Sequence, residues 1–186
     1  MKSLRWPWLT LGVAAATAAV IVAQSLQPGM IEAWQWDVAR LGQGEFWRVV
    51  TGVFVHTSGP AQIIFNLLGL VTIGWLVEQQ WSRLAWSCGA VAGVVAAEAA
   101  AVWWHPVGGG ISVALGGLVG LALVGWMFDP RLPAWFRFGV PLVYLAGAAY
   151  VVSLADIHGP PVFAGALAGL LLLRQRRIVT LVSTHG

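Results

Sequence analysis

Charged residues are scarce in this chain of 186 residues, in which Asp, Glu, Lys and Arg together make up only 9%. Hydrophobic residues make up 59%, and the mean hydropathy is +0.79. A soluble globule needs far more charge and polarity to cover its surface. The composition therefore excludes a soluble globular protein and predicts an integral membrane protein whose first partner is the lipid bilayer.

Cysteine is almost absent as well, because Cys88 is the only one, so no intramolecular disulfide can form. No motif for a metal or a cofactor is present, and neither is predicted. The sequence pI of about 9.8 reflects Lys and Arg residues that are scattered at the ends of apolar segments. Such cations suit anionic lipid headgroups, and the pattern argues against nucleic-acid binding.

Long apolar runs dominate what is present. A bilayer core of about 30 Å is crossed by about 20 apolar residues in a helix. Reading the chain for such runs predicts an all-α protein with a single membrane domain over residues 1–186. The six predicted spans are residues 7–26, 61–78, 84–104, 111–128, 135–153 and 160–173.

Lys and Arg residues then orient the spans, because short loops rich in these residues stay in the cytoplasm. Eight cations fall on one predicted side and two on the other, which places both termini in the cytoplasm and the segment 27–60 outside. We expect a multi-pass protein of a bacterial cytoplasmic membrane. The eight are Lys2, Arg5, Arg83, Arg131, Arg137, Arg174, Arg176 and Arg177, and the two are Arg40 and Arg48.

A few polar residues interrupt the apolar spans, and each costs free energy unless it faces protein or a water-filled cavity. Gln62 and Asn66 fall at the external end of the second span, Ser112 at that of the fourth, and His158 just before the sixth. Gln62 and Asn66 are four residues apart and share one helical face, so both amides can donate to a common point. The sequence predicts one polar pocket that opens outward.

Glu98 is the remaining polar residue, a carboxyl about two turns inside the external end of the third span. Three interpretations remain open at this stage. The residue acts as a proton carrier, it pairs with Arg48, or it is a neutral or water-linked carboxyl that faces the bundle. The last has the simplest basis, because burial disfavours the charged form of a carboxyl.

Four fragments, in this order and spacing, make the chain similar to the rhomboid family of intramembrane serine proteases over roughly residues 45–173. They are "FWRVVTGVFVHTS" with the family's Trp-Arg pair, "QIIFNLLG" with its Asn at Asn66, "GISVALGGLVG" in place of the serine helix, and "VFAGALAGLLL" in place of the final helix. The resemblance implies a bundle of six transmembrane helices with a Ser–His dyad that cleaves transmembrane helices of other proteins.

The resemblance also implies where the dyad residues stand. Ser112 occupies the nucleophile position, and the glycines Gly165 and Gly169 mark the histidine position as Val162. The aromatic residue that supports the histidine ring in the family is replaced by Gly116. Gln62 likewise stands in place of a histidine, although Gln62 and Asn66 still have amide donors for an oxyanion. A serine hydroxyl is a poor nucleophile without an adjacent base, so these departures favour a protein that has lost catalysis.

From the sequence we therefore predict a rhomboid-like pseudoprotease that binds transmembrane helices of clients or partner proteins without cleaving them. Ser112 is then a small residue at a helix contact, and the glycines that permit close helix packing are Gly116, Gly120, Gly165 and Gly169. Two alternatives stay open. One is an active protease in which His158, or His105, serves as the base for Ser112; the other is a structural subunit of a larger membrane complex.

Overall fold

The computed structural model describes residues 5–183, with the backbone alone for residues 176–183. Three of the cations counted above, Lys2 and the side chains of Arg176 and Arg177, lie outside this description. The described residues form nine helices and one two-stranded sheet. These elements are α1 (Trp8–Leu26), α2 (Met30–Trp34), β1 (Trp36–Asp37), α3 (Val38–Leu41), α4 (Arg48–Phe54), α5 (Pro60–Gln80), α6 (Arg83–Trp104), β2 (Val107–Gly108), α7 (Ser112–Met127), α8 (Ala134–Ser153) and α9 (Gly159–Ser183).

A helix occupies each of the six apolar segments, and the protein is an all-α membrane protein. Within the described part of the chain, α1, α5, α6 and α8 are long and apolar enough to cross a bilayer, whereas α7 is apolar but has only 16 residues. At 1.5 Å per residue, α7 is about 24 Å long, which is shorter than a bilayer core of about 30 Å. Six membrane spans and cytoplasmic termini therefore stay a prediction.

Polar side chains at the helix ends fix where several of these helices begin. Ser82 caps α6, because its hydroxyl accepts a hydrogen bond from the backbone N–H of Ala85 at 3.2 Å. The buried carboxylate of Glu78 caps α1 from the end of α5, since it accepts the backbone N–H of Thr10 at 2.7 Å. A negative charge at a helix N-terminus is favourable, so Glu78 stabilises the contact between α1 and α5.

Helix α7 is the centre of the bundle. It packs between α6 and α9 at glycine positions, where no side chain separates the backbones. A Cβ on Gly117 would meet the carbonyl oxygen of Gly89 in α6, and a Cβ on Gly165 would meet that of Gly117. Gly120 faces α9 in the same way, against the carbonyl oxygen of Val162. Glycine at these positions lets three backbones touch, which is how helices associate when lipid replaces the hydrophobic driving force.

One buried arginine holds together the segment between α1 and α5. Arg48 donates to the Glu45 carboxylate at 2.6 Å and to the carbonyl oxygens of Glu32 and Gln35 at 2.8 and 3.0 Å. The pairing of Arg48 with Glu98 that the sequence left open is therefore wrong. The nearest acidic side chain along the chain, three residues away on the same segment, supplies the counter-charge instead.

Candidate functional site

The loop that leads into Ser112 is held on both sides. β2 pairs with β1 in an antiparallel register of Trp36 with Gly108, and the backbone N–H of Gly110 donates to the carbonyl oxygen of Gly52 in α4 at 2.9 Å. Gly110 has a φ of 143°, a conformation that side-chain-bearing residues rarely adopt. Ser112, the first residue of α7, therefore emerges from a fixed loop, with its hydroxyl at the helix N-terminus.

An imidazole lies beside this hydroxyl. The Oγ atom of Ser112 is 3.1 Å from the Nε2 atom of His158, within hydrogen-bond distance. The expectation that Val162 leaves Ser112 without a neighbouring base is therefore wrong. His105, the other candidate, is exposed at the end of α6 and makes no hydrogen bond with Ser112 among the described residues.

The chain between α8 and α9 explains how His158 reaches this position. α8 ends with two backbone hydrogen bonds, from Ala155 to Val152 and from Asp156 to Val151, and Ala155 adopts a left-handed φ of 56°. This arrangement is a Schellman motif, which reverses the chain tightly after a helix. α9 begins directly at Gly159.

Pro160 and Pro161 do not hold His158 away from Ser112. They lie in the first turn of α9, where backbone N–H groups have no partner within the helix, so proline is tolerated there. Pro161 rests on Gly116, whose missing side chain leaves room for it: a Cβ on Gly116 would be 2.8 Å from that of Pro161. Gly116 thus lets the start of α9 approach α7.

Asp156 is a residue of the site that the sequence did not single out. Its Oδ1 atom is 2.6 Å from the Nδ1 atom of His158 and also accepts the backbone N–H of His158 at 2.9 Å. Burial raises the pKa of Asp156, but the hydrogen bonds from His158 and the charges of His158 and His105 more than offset it, so the pKa lies below its ordinary value. The signal in the sequence is the spacing Asp-x-His, because aspartate readily bonds the backbone N–H two residues on.

Two amide donors converge on the space beside Ser112. A Cβ on Gly110 would lie 3.1 Å from Nε2 of Gln62 and 3.6 Å from both Nδ2 of Asn66 and Oγ of Ser112. Asn66 is 1% exposed, and its Nδ2 has no hydrogen-bond partner among the described residues. The Oε1 atom of Gln62 accepts the backbone N–H of Ser58 at 3.0 Å, which turns its amide nitrogen toward the site. The cradle in front of Gly110 is therefore a place for an acceptor such as an oxyanion.

A cavity of about 210 Å³ lies at this site. Ser112, His158, Asp156 and Gln62 contribute to its wall, and Glu98 lies on the α6 side of it. Glu98 is half-buried and forms no ion pair among the described residues. A hydroxyl with an imidazole beside it, and amide donors around one space, are the groups that acyl transfer requires.

The fold and this site define a class: a multi-pass helical membrane protein with a serine–histidine pair at the N-terminus of a central helix. A family model, the Rhomboid domain, matches residues 43–174, well over half of the chain. The chain belongs to the rhomboid family. No curated protein matches the sequence closely enough to add to this assignment.

Proposed function

We propose that the protein is an active intramembrane serine protease in which Ser112 is the nucleophile and His158 the general base. The observation that carries this proposal is the distance of 3.1 Å between Oγ of Ser112 and Nε2 of His158. Substrates are transmembrane helices of other proteins. They enter laterally between α5 and α8 from the lipid of a bacterial cytoplasmic membrane, with the site opening to the exterior.

The reaction follows from the positions of these groups. Oγ of Ser112 attacks the carbonyl carbon of the substrate peptide bond while Nε2 of His158 takes the hydroxyl proton. The carbonyl oxygen becomes an oxyanion that accepts hydrogen bonds from the amides of Gln62 and Asn66. The intermediate collapses, the C–N bond breaks, and His158 gives its proton to the leaving amine. Water, deprotonated by His158, then hydrolyses the acyl-enzyme and restores Ser112.

Water must reach a site in an apolar protein for the second half of this reaction. The side chain of His158 is 50% exposed, and α7 is too short to cross a bilayer core, so the site lies at the end of a short helix below an open surface. Both features support access of water from the external face. They also allow a substrate helix to unwind locally, because its freed backbone groups meet water and the cavity wall rather than lipid.

A cleavage assay in proteoliposomes tests the proposal. A pool of single transmembrane segments, with and without helix-breaking glycine or proline, is fused between two epitope tags and reconstituted with the protein. We expect cleavage products that vanish in Ser112→Ala and in His158→Ala but persist in His105→Ala. Segments that co-purify uncut with both the original protein and Ser112→Ala would instead support the non-cleaving client-binding role predicted from the sequence.

A further inference from the structure

The imidazole of His158 bridges two side chains, Ser112 at Nε2 and Asp156 at Nδ1. We propose that Asp156 is a positioning residue that holds His158 in the tautomer and orientation able to take the Ser112 proton, so that the site is a Ser–His–Asp triad. This inference rests on the proposed function for its catalytic meaning. The arrangement of Asp156 and His158 can be tested separately from it.

The tautomer follows from the partners of the ring. A carboxylate only accepts hydrogen bonds, so Nδ1 of His158 must carry the proton that is donated to Oδ1 of Asp156. A neutral imidazole has one ring proton, and Nε2 is therefore left with a lone pair that points at Ser112. Without the carboxylate, part of the population carries the proton on Nε2 and cannot accept the serine proton.

Other hydrogen bonds hold Asp156 in place independently of its contact with the imidazole ring. Its backbone N–H bonds the carbonyl oxygen of Val151 at the end of α8, and its Oδ1 accepts the backbone N–H of His158 at 2.9 Å. Ala155, whose φ is left-handed, lies between Val151 and Asp156 and sets the direction in which the chain leaves α8. The carboxylate thus reaches the ring as part of the rigid end of α8, and little conformational freedom is lost in holding the imidazole.

The other titratable groups around the cavity are Glu98 on α6 and His105, the residue directly after α6. In the described part of the chain neither forms a hydrogen bond or ion pair with His158, whose recorded partners are Ser112 and Asp156. Asp156 is therefore the acidic group in direct contact with the base. Asp156 does not occupy the position of the family's histidine, because it lies six residues before Val162, in the connection to α9.

Nitrogen-15 NMR of the histidine rings in the full chain tests the tautomer directly. With [15N]histidine, the His158 signals are assigned by their loss in His158→Gln, and the spectra of Asp156→Asn and Asp156→Ala are compared. We expect the Nδ1–H tautomer in the original protein and a mixture of tautomers in Asp156→Ala. A ring protonated on Nε2 in the original protein, or an unchanged tautomer in Asp156→Ala, would overturn the inference.

The pH dependence of Ser112 labelling by a fluorophosphonate probe gives the second readout. Asp156→Asn keeps a neutral oxygen acceptor but removes the charge. We expect the labelling rate to fall about tenfold, and the rising part of the curve of labelling rate against pH to move to lower pH. Asp156→Ala also loses the orientation, and we expect about a 100-fold loss. The control is Asp129→Asn, whose carboxylate lies in a different short connection, between α7 and α8, and pairs with Arg131.

The outcomes separate the two claims. If the original protein fails to label but His158 shows the Nδ1–H tautomer that depends on Asp156, the proposed function fails and the positioning role stands. If labelling requires His158 but Asp156→Asn keeps both the rate and the pH profile, the positioning role fails alone. A purely structural role of Asp156 predicts lower thermal stability in both variants with an unmoved pH profile, and that result also overturns the inference.

Discussion

Pro161 lies on the bare backbone of Gly116: a Cβ built on Gly116 would be 2.8 Å from the Cβ of Pro161 and 3.8 Å from the carbonyl oxygen of His158. Neither neighbour is the far end of a flexible side chain, because one is a rigid ring and the other a backbone carbonyl. The approach of His158 to Ser112 therefore depends on the absence of a side chain at Gly116, four residues after Ser112 in α7.

Gly116→Ala tests this dependence. The added methyl group must push the start of α9 outward, and we expect at least a tenfold slower labelling of Ser112, since small displacements of a base are costly. Overpacking should also cost about 1–3 kcal/mol of stability. Gly147→Ala on α8 is the control, because a Cβ there meets no atom within 4 Å. An unchanged labelling rate in Gly116→Ala would mean that α9 adjusts freely.

Gly165→Ala should destabilise the bundle more than Ser112→Ala does. A Cβ on Gly165 meets the carbonyl oxygen of Gly117, and Gly117 in turn packs against α6, so α7 has no space to retreat into. We expect a loss of at least about 1–3 kcal/mol for Gly165→Ala. Ser112→Ala removes one partly exposed hydrogen bond and should cost less. Thermal unfolding in detergent gives the order, and equal losses would show that Ser112 anchors a larger hydrogen-bond network.

Replacement of Arg48 should loosen the whole segment between α1 and α5. Arg48→Ala leaves Glu45 with only the exposed Arg40 as its counter-charge, and it removes the donor of the carbonyl oxygens of Glu32 and Gln35. We expect a loss of about 3 kcal/mol, and a smaller one for Arg48→Lys, which keeps the charge but not the fork of donors. Arg40→Ala is the matched control, because Arg40 bonds the same glutamate from an exposed position. Equal effects of Arg48→Ala and Arg40→Ala would contradict this role of the buried guanidinium.

Cysteine accessibility tests the predicted orientation. In a Cys88→Ser background, we expect an impermeant maleimide to modify Gln43→Cys in intact cells but Ala134→Cys only after permeabilisation. Both positions are exposed in the structure, so access depends on the side of the membrane. The physical reason is the excess of cations on one side of the bundle. The opposite labelling pattern would place Ser112 and His158 toward the cytoplasm.

Much of the fold is predictable from the sequence because lipid imposes simple rules. Apolar runs mark the positions of α1 and α5 to α9, since every backbone polar group in a bilayer must bond within its own helix. The convergence of Gln62, Asn66 and Ser112 is predictable too, because two of them share a helical face and all three fall at the same end of their helices. Neither inference needs knowledge of loop geometry.

The position of the histidine beside Ser112 is not predictable in this way. Counting from Gly165 and Gly169 places the family's histidine at Val162, and that count assumes that the base must sit within the last helix. Three local features make this assumption wrong: the left-handed Ala155 after α8, the prolines in the first turn of α9, and the space beside Gly116 in α7. Each depends on packing between α7, α8 and α9, which a linear pattern does not contain.

Ser112 labelling by a fluorophosphonate probe tests the central claim most directly, because the probe needs an activated serine but no known substrate. The account predicts stoichiometric labelling of the original protein, none in Ser112→Ala, a loss of at least 100-fold in His158→Ala, and a near-original rate in His105→Ala. Thermal unfolding of each variant confirms that it is folded. Absence of labelling in the folded original protein, or labelling that is unaffected by His158→Ala, would contradict the assignment of Ser112 and His158 as nucleophile and base.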